Sequence, residues 1–435
     1  MGYRRIWIFT AVLLIGVTGC GGLDSTTAGD SKEAAADQQG GEEKIHKDSE
    51  EIAEVYREIY EQAYREKKLD TLGVKGEIIK NLGEAGYTAV DMANQIDMVN
   101  PGQAERFCEK NGNGEEDRTT IFLIGDNGGF VRYDLNTKGG KVTVVISSLS
   151  WKGGRAEADY FEKFTAHTFK LTEEGYIFIE KYHMPGYDGA PGITAIRVKP
   201  LDSKLRDLNR QYVIPIGYER NNLLITDWDE TDYGGLDFYD LYEEMYNMKY
   251  GDYVPYESGY GGEEYGVPEK DFEEVIRTYL NIDSLDLQEK TMYRPGDRTY
   301  VYRPRGMYDA ETPYCPVPEV TAYEEQKDGT VRLTVNAVWV MEMQSRAFTS
   351  ELVIRPLENG TFQYVSNQTV PLPEGGGAAW YTPRLSQEEW NSYYRAGSLV
   401  KVTLSVRSQY SVASMCNSVF SRDFICSIAS EASAV

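Results

Sequence analysis

Apolar residues along the chain recur first at helical and then at strand spacing. Asp48 and Glu51 have the spacing of a capping box. Ile52, Val55, Tyr56, Ile59, Tyr60 and Ala63 follow on one helical face. A second helical stretch over about 74–82 aligns Ile78, Ile79 and Leu82. Asn100-Pro101 opens a short helix through Phe107, since proline suits the first helical position. The period then changes. Runs over 120–124, 130–135, 141–149, 164–171 and 176–182 read as strands, separated by Asp126-Asn127-Gly128-Gly129, Lys138-Gly139-Gly140 and Glu173-Glu174-Gly175. Turns this short place consecutive strands antiparallel. Two further short strands are expected near 212–217 and 222–226, and a helix over 236–249 ending at Gly251.

Past Gly251 the periodicity stops, and 251–266 reads as a linker rich in Tyr, Gly and acids. Pro268 then opens a helix carrying Phe272, Val275, Ile276, Tyr279 and Leu280. Strands resume at 319–326 and 331–341, with Val331, Leu333, Val335, Ala337, Trp339 and Met341 in alternation. A hairpin from 348–356 to 361–366 turns at Asn359-Gly360. One more strand is expected over 400–406. The pattern predicts an α+β protein, with helices followed by antiparallel meanders in two domains. The organisation is a leader over 1–19, a disordered tether over 20–48, domains over 49–250 and 267–395, and a strand with a poorly specified tail over 396–435. One helix before a meander gives the second domain the topology of a cystatin-like or NTF2-like cone.

The leader follows from length. Tyr3-Arg4-Arg5 precedes an apolar stretch from Ile6 to Val17, which at 1.5 Å per residue spans about 18 Å and falls short of a ~30 Å hydrocarbon core. A basic start with a short apolar stretch is the pattern of a signal peptide. Val17-Thr18-Gly19-Cys20 resembles a bacterial lipobox, which implies that Cys20 carries a diacylglyceryl thioether and becomes the mature N-terminus. Two acyl chains give stable anchoring. The expected location is the outer face of the cytoplasmic membrane.

Charge narrows the partners. With 45 Lys+Arg against 69 Asp+Glu, the net charge is −24. A surface of that sign repels phosphate backbones, so nucleic acid is excluded as a partner class. No Cys-x-x-Cys, His-Glu-x-x-His, nucleophile elbow or P-loop is present, so no catalytic residue and no cofactor is assigned. His167 and His183 fall near each other in a hairpin but lack further ligands at metal spacing. Cys108, Cys315, Cys416 and Cys426 admit three complete disulfide connectivities, all of them open.

The distinctive stretch is 227–265. It holds twelve acids against Lys249 alone, nine tyrosines, and Trp228 at its head. As a recognition surface, with Trp228, Tyr253 and Tyr256 as candidate ligand contacts, it suits a cell-wall, glycan or protein partner. As a weak calcium loop it offers Asp229, Asp237 and Asp240, with Thr231 and Tyr233 where an EF-hand places acids. The third reading is a helix face and a solvated linker. A non-catalytic binding or interaction module is the leading expectation. The alternative is a carboxylate-based glycan hydrolase, which needs only two suitably spaced acids in an aromatic groove.

Several segments carry a resemblance to a known family. They are Leu82-Gly83-Glu84-Ala85-Gly86-Tyr87-Thr88-Ala89-Val90-Asp91, Asn94-Gln95-Ile96-Asp97-Met98-Val99-Asn100-Pro101 and Asp126-Asn127-Gly128-Gly129-Phe130-Val131-Arg132-Tyr133-Asp134-Leu135. To these are added Arg197-Val198-Lys199-Pro200-Leu201-Asp202 and Phe238-Tyr239-Asp240-Leu241-Tyr242. Together they resemble uncharacterised lipoproteins of clostridial-type Gram-positive bacteria, over about 48–395. The resemblance implies an extracytoplasmic, lipid-anchored protein and no particular activity.

Overall fold

The computed structural model describes residues 30–187, 189–258, 260–310, 314–370 and 378–395, with side chains from residue 40 onward. The leader over 1–19, Cys20, the strand expected over 400–406, Cys416 and Cys426 lie outside the described residues. The architecture is α+β, with open, mainly antiparallel sheets. Of the described residues, those within 30–182 and 192–384 belong to one compact unit, and those within 183–191 and 385–395 to a second.

The first helix differs from expectation. α1 (Asp30–Ala53) starts well before Asp48, so the part of the proposed tether from residue 30 onward is helical. Its early residues include Ala34-Ala35-Ala36 with Glu and Gln, all strong helix formers. Its C-terminal part is held by tertiary contacts. Asp48 accepts a hydrogen bond from Arg132 at 2.6 Å instead of capping a helix, and the His46 ring nitrogen lies 3.3 Å from the Tyr160 carbonyl. After a 3₁₀ turn come α2 (Arg57–Glu66) and α3 (Leu72–Glu84), the latter capped by the Thr71 hydroxyl.

The first sheet holds β1 (Thr88–Asp91), β2 (Asp117–Ile124), β3 (Phe130–Lys138), β4 (Lys141–Lys152) and β5 (Arg155–Thr165) in that spatial order. β1 runs parallel to β2 because α4 (Pro101–Gly112) crosses between them, and the rest is an antiparallel meander. Both faces of the sheet are covered, with strand alternation dividing the side chains. Phe122, Ile124 and Phe130 pack with Tyr56, Tyr60, Ile78, Ile79 and Leu82 from the helices before the sheet. Ile121, Leu123, Val131, Tyr133 and Leu135 face Phe107 of α4 and the second sheet. That sheet comprises β6 (Thr168–Leu171), β7 (Tyr176–Glu180) and β8 (Ile193–Arg197). The single strand expected over 164–171 is thus divided between two sheets.

Strands expected near 212–217 and 222–226 are absent. α5 (Ser203–Leu208) runs into a π-helical turn over Asn209–Val213, and turns follow. Leu208, Tyr212, Val213 and Ile216 are all buried in the largest core, a spacing that serves a helix better than a strand. This core contains α6 (Phe238–Tyr250), α7 (Glu269–Tyr279) and α8 (Ser284–Glu289). It also contains a small sheet of β10 (Tyr265–Pro268), β12 (Thr299–Tyr302) and β11 (Tyr293–Arg294). A five-stranded antiparallel sheet completes it, ordered β13 (Val317–Glu325), β14 (Val331–Trp339), β15 (Gln344–Pro356), β16 (Phe362–Val370) and β9 (Trp228–Asp229). Leu333 pairs with Leu352 and Ala337 with Phe348 on the covered face. In the second unit, Ser386 and Glu389 form a reciprocal capping box on α9 (Gln387–Trp390).

The two stretches expected as separate domains are joined within the compact unit. Arg197 of β8 and Glu319 of β13 form a buried ion pair at 2.9 Å, and the Tyr176 hydroxyl donates to the other Glu319 oxygen at 2.7 Å. Burial raises the Glu319 carboxyl above its usual range and Arg197 opposes the shift. The 251–266 segment is likewise anchored. Ser258 donates to the Arg305 carbonyl, and Glu264 pairs with both Arg294 and Arg303. We expect proteolytic nicking within 251–266 to leave fragments that co-elute in native gel filtration. Separation of two folded fragments without denaturant would refute this packing.

Candidate functional site

α6 carries three stripes set by its sequence. Phe238, Leu241 and Met245 form the apolar stripe and are almost completely buried. Asp237, Asp240 and Glu243 recur every third residue and share a neighbouring face, while Tyr239, Tyr242, Tyr246 and Tyr250 form a third. Asp237 is the N-cap, its carboxylate accepting from the backbone N–H groups of Tyr239 and Asp240. Gly251 closes the helix in the left-handed region, with φ of 69°.

Asp240 is fully excluded from solvent. Arg305 binds it in a fork, Nε to Oδ1 at 3.0 Å and Nη2 to Oδ2 at 2.6 Å. Arg384 donates to the same Oδ1 at 2.5 Å, and the Tyr381 hydroxyl donates to Oδ2 at 2.9 Å. Arg384 also binds Glu243, which accepts a second bond from the Tyr302 hydroxyl at 2.8 Å. Further guanidinium hydrogens reach backbone carbonyls: Arg384 that of Arg303, and Arg305 those of Asp309 and Thr382. Burial disfavours the charge on Arg384, but Asp240, Glu243 and Asp237 outweigh it and hold the guanidinium well above its usual range. Asp237 moves the other way. Burial, reinforced by the charge of Asp240, pushes its carboxyl up to about 6, against the pull of Arg384.

The residues singled out from sequence serve separate ends. Trp228 is corrected from a ligand contact to a core residue: it is buried, donates to the Leu223 carbonyl at 3.0 Å and stacks on Tyr233. Tyr253 is three-quarters exposed. Tyr256 is half-buried and packs obliquely on Tyr265 and Tyr302. No ring contact among the described residues joins Trp228 to the other two. The calcium reading meets a similar separation. Asp229 turns its carboxylate back on Thr231 and Asp232, whose hydrogen bonds lower its pKa; Asp237 caps the helix; Asp240 is enclosed by guanidinium groups. Among the described residues no three His, Cys, Asp or Glu side chains are grouped to hold a metal ion. Cys108 is a half-buried free thiol, its pKa raised to about 12 mainly by burial.

An open groove of about 960 Å³ runs beside α7. Its acids are already engaged: Glu273 accepts from Tyr300 and Ser284, Glu269 binds Arg298, and Glu274 binds Lys249. Sequence reasoning missed Arg305, Tyr381 and Arg384, which lie 65, 141 and 144 residues from Asp240. The local signal that existed was the threefold spacing of acids on one helical face, which calls for buried cations to match them.

These features define an α+β protein whose densest acidic segment is organised around a buried carboxylate–guanidinium cluster. The chain belongs to DUF6070, a family of unknown function that matches residues 42–384 and so takes in the whole cluster. No curated protein and no solved structure matches it.

Two outcomes follow from this geometry. Arg384→Ala leaves Asp240 and Glu243 short of their shared cation, and loss of one partner of a buried pair costs about 3–5 kcal/mol. A melting temperature within 2 °C or so of the parent would contradict that. Asp237→Asn keeps the cap acceptor but cannot ionise. A carboxyl raised to about 6 favours folding while protonated, so its contribution is lost as pH rises from the ordinary carboxylate range through about 6. The variant should therefore melt higher than the parent at pH 7.5 and match it near pH 4. Equal melting at both pH values would remove the raised pKa.

Proposed function

We propose that the chain is a lipid-anchored extracytoplasmic protein that works by binding a partner rather than by catalysis. One observation carries the binding half of this reading. The Asp240 and Glu243 carboxylates of α6 are committed to guanidinium and hydroxyl partners inside the protein, whereas Tyr250 and Tyr253 of the same segment face solvent. Committed acids do not supply the free acid and base of a hydrolase, while exposed tyrosines offer rigid amphipathic contact area.

The anchoring half rests on the short apolar leader and Val17-Thr18-Gly19-Cys20, together with the likeness to Gram-positive lipoproteins. Among the described residues no helix is long and apolar enough to cross a membrane. Only the short stretch 21–29 separates Cys20 from the start of α1, so a diacylated Cys20 holds the helix within roughly 35 Å of the bilayer. At that site the partner is a cell-wall, glycan or protein component. Metabolic labelling with a fatty acid tests the anchor. The parent chain should take up label and partition into detergent, and Cys20→Ala should lose both. A labelled, membrane-bound Cys20→Ala chain would overturn the lipoprotein reading.

A further inference from the structure

The tyrosine stripe of α6 continues past the helix end onto a surface with its own chemistry. Tyr246 meets Tyr242 and Tyr250 at centroid distances of 5.9 and 4.7 Å, with interplanar angles of 65° and 57°. Tyr256 meets Tyr302 and Tyr265 at 5.4 and 5.2 Å, tilted by 50° and 42°. None of these pairs is stacked face to face. Tyr250 and Tyr253 are 50% and 75% exposed, and the carboxylates of Asp252, Glu257 and Asp271 are on exposed residues. Asp271 and the hydroxyls of Tyr246, Tyr250 and Tyr256 lie near enough to Tyr242 to add to the burial that holds its hydroxyl well above the usual range.

One ammonium group is already seated here. Lys249, the single base of 227–265, places Nζ 5.2 Å from the Tyr250 ring centroid and 2.7 Å from the Glu274 carboxylate. An ammonium is attracted by the ring face and by the carboxylate beside it. Each such exposed contact is weak, so useful affinity requires several cations on one ligand. A net charge of −24 draws a polycation towards the chain from a distance.

We propose that the surface formed by the C-terminal half of α6, the 251–257 turn and the start of α7 docks a lysine-rich segment of a partner protein. This rests on the reading of the chain as a binding module and specifies its partner. The test titrates hexalysine into the full chain in detergent, at 50 mM salt, by calorimetry. The triple variant Tyr250→Ala, Tyr253→Ala, Asp271→Asn should weaken binding at least tenfold. Tyr250→Phe with Tyr253→Phe, which keeps both ring faces, should stay within about twofold. Glu324→Gln, Glu325→Gln, Glu358→Gln removes more charge from exposed positions in the β13–β14 and β15–β16 hairpins and should also stay within about twofold. Four results overturn the proposal: no binding by the parent, a triple variant that binds within about twofold of the parent, equal loss in the charge-removal control, or choline binding as tightly as hexalysine. Anchoring is read separately from Cys20 labelling, so loss of the anchor leaves this result intact.

Discussion

A carboxylate in a protein interior is stable only if its charge is answered by cations and its lone pairs by donors. Asp240 meets that condition with two guanidinium groups and a tyrosine hydroxyl, brought from residues 305, 384 and 381. The cluster cannot assemble until α6, the strand end after Tyr302 and the segment ending at Arg384 are all in place. It therefore works as a register device. Arg384 joins Asp240 to Glu243 along one helical face and reaches the Arg303 carbonyl, which fixes its segment in both position and direction.

The same logic recurs where Arg197 meets Glu319. Both side chains are almost fully buried, and Tyr176 completes the carboxylate's hydrogen bonding. This pair ties the sheet of β6, β7 and β8 to the five-stranded sheet, so the compact unit is held across its length by specific ionic contacts as well as by apolar packing. Five arginines of this acidic chain sit where desolvation strengthens their pairing. Arg132, Arg197, Arg206, Arg305 and Arg384 are each mostly buried and paired with carboxylates.

The consequence for function lies in how acids and aromatics divide the labour. Twelve acids and nine tyrosines in one segment look uniform as composition. In the fold they separate. Asp240 and Glu243 face inward to guanidinium groups, Trp228, Tyr233 and Tyr242 join the core, and Tyr250 and Tyr253 remain in contact with solvent. Tyr250 ends α6 and Tyr253 follows it, so the exposed rings lie beside a helix whose Asp240 and Glu243 charges are answered from inside the protein.

The sequence by itself determined the features whose physics is local. Turn residues and alternation located the β2–β3, β3–β4, β13–β14 and β15–β16 hairpins, while the β4–β5 hairpin was not read; threefold and fourfold spacing located α3, α6 and α7. Its α+β class was legible for the same reason. The tertiary structure decided everything that depends on which distant segment arrives. It extended α1 back to Asp30, made a π-helical turn of a segment read as a strand, placed β9 beside β16, and buried Trp228. It also chose the partners of Asp240. The acids at 237, 240 and 243 announced a charged helical face, but a charge cannot name its counter-ion when that counter-ion is 65 or 144 residues away. Pairing at that separation is set by the desolvation cost that the completed core imposes, and that cost does not exist until the chain has folded.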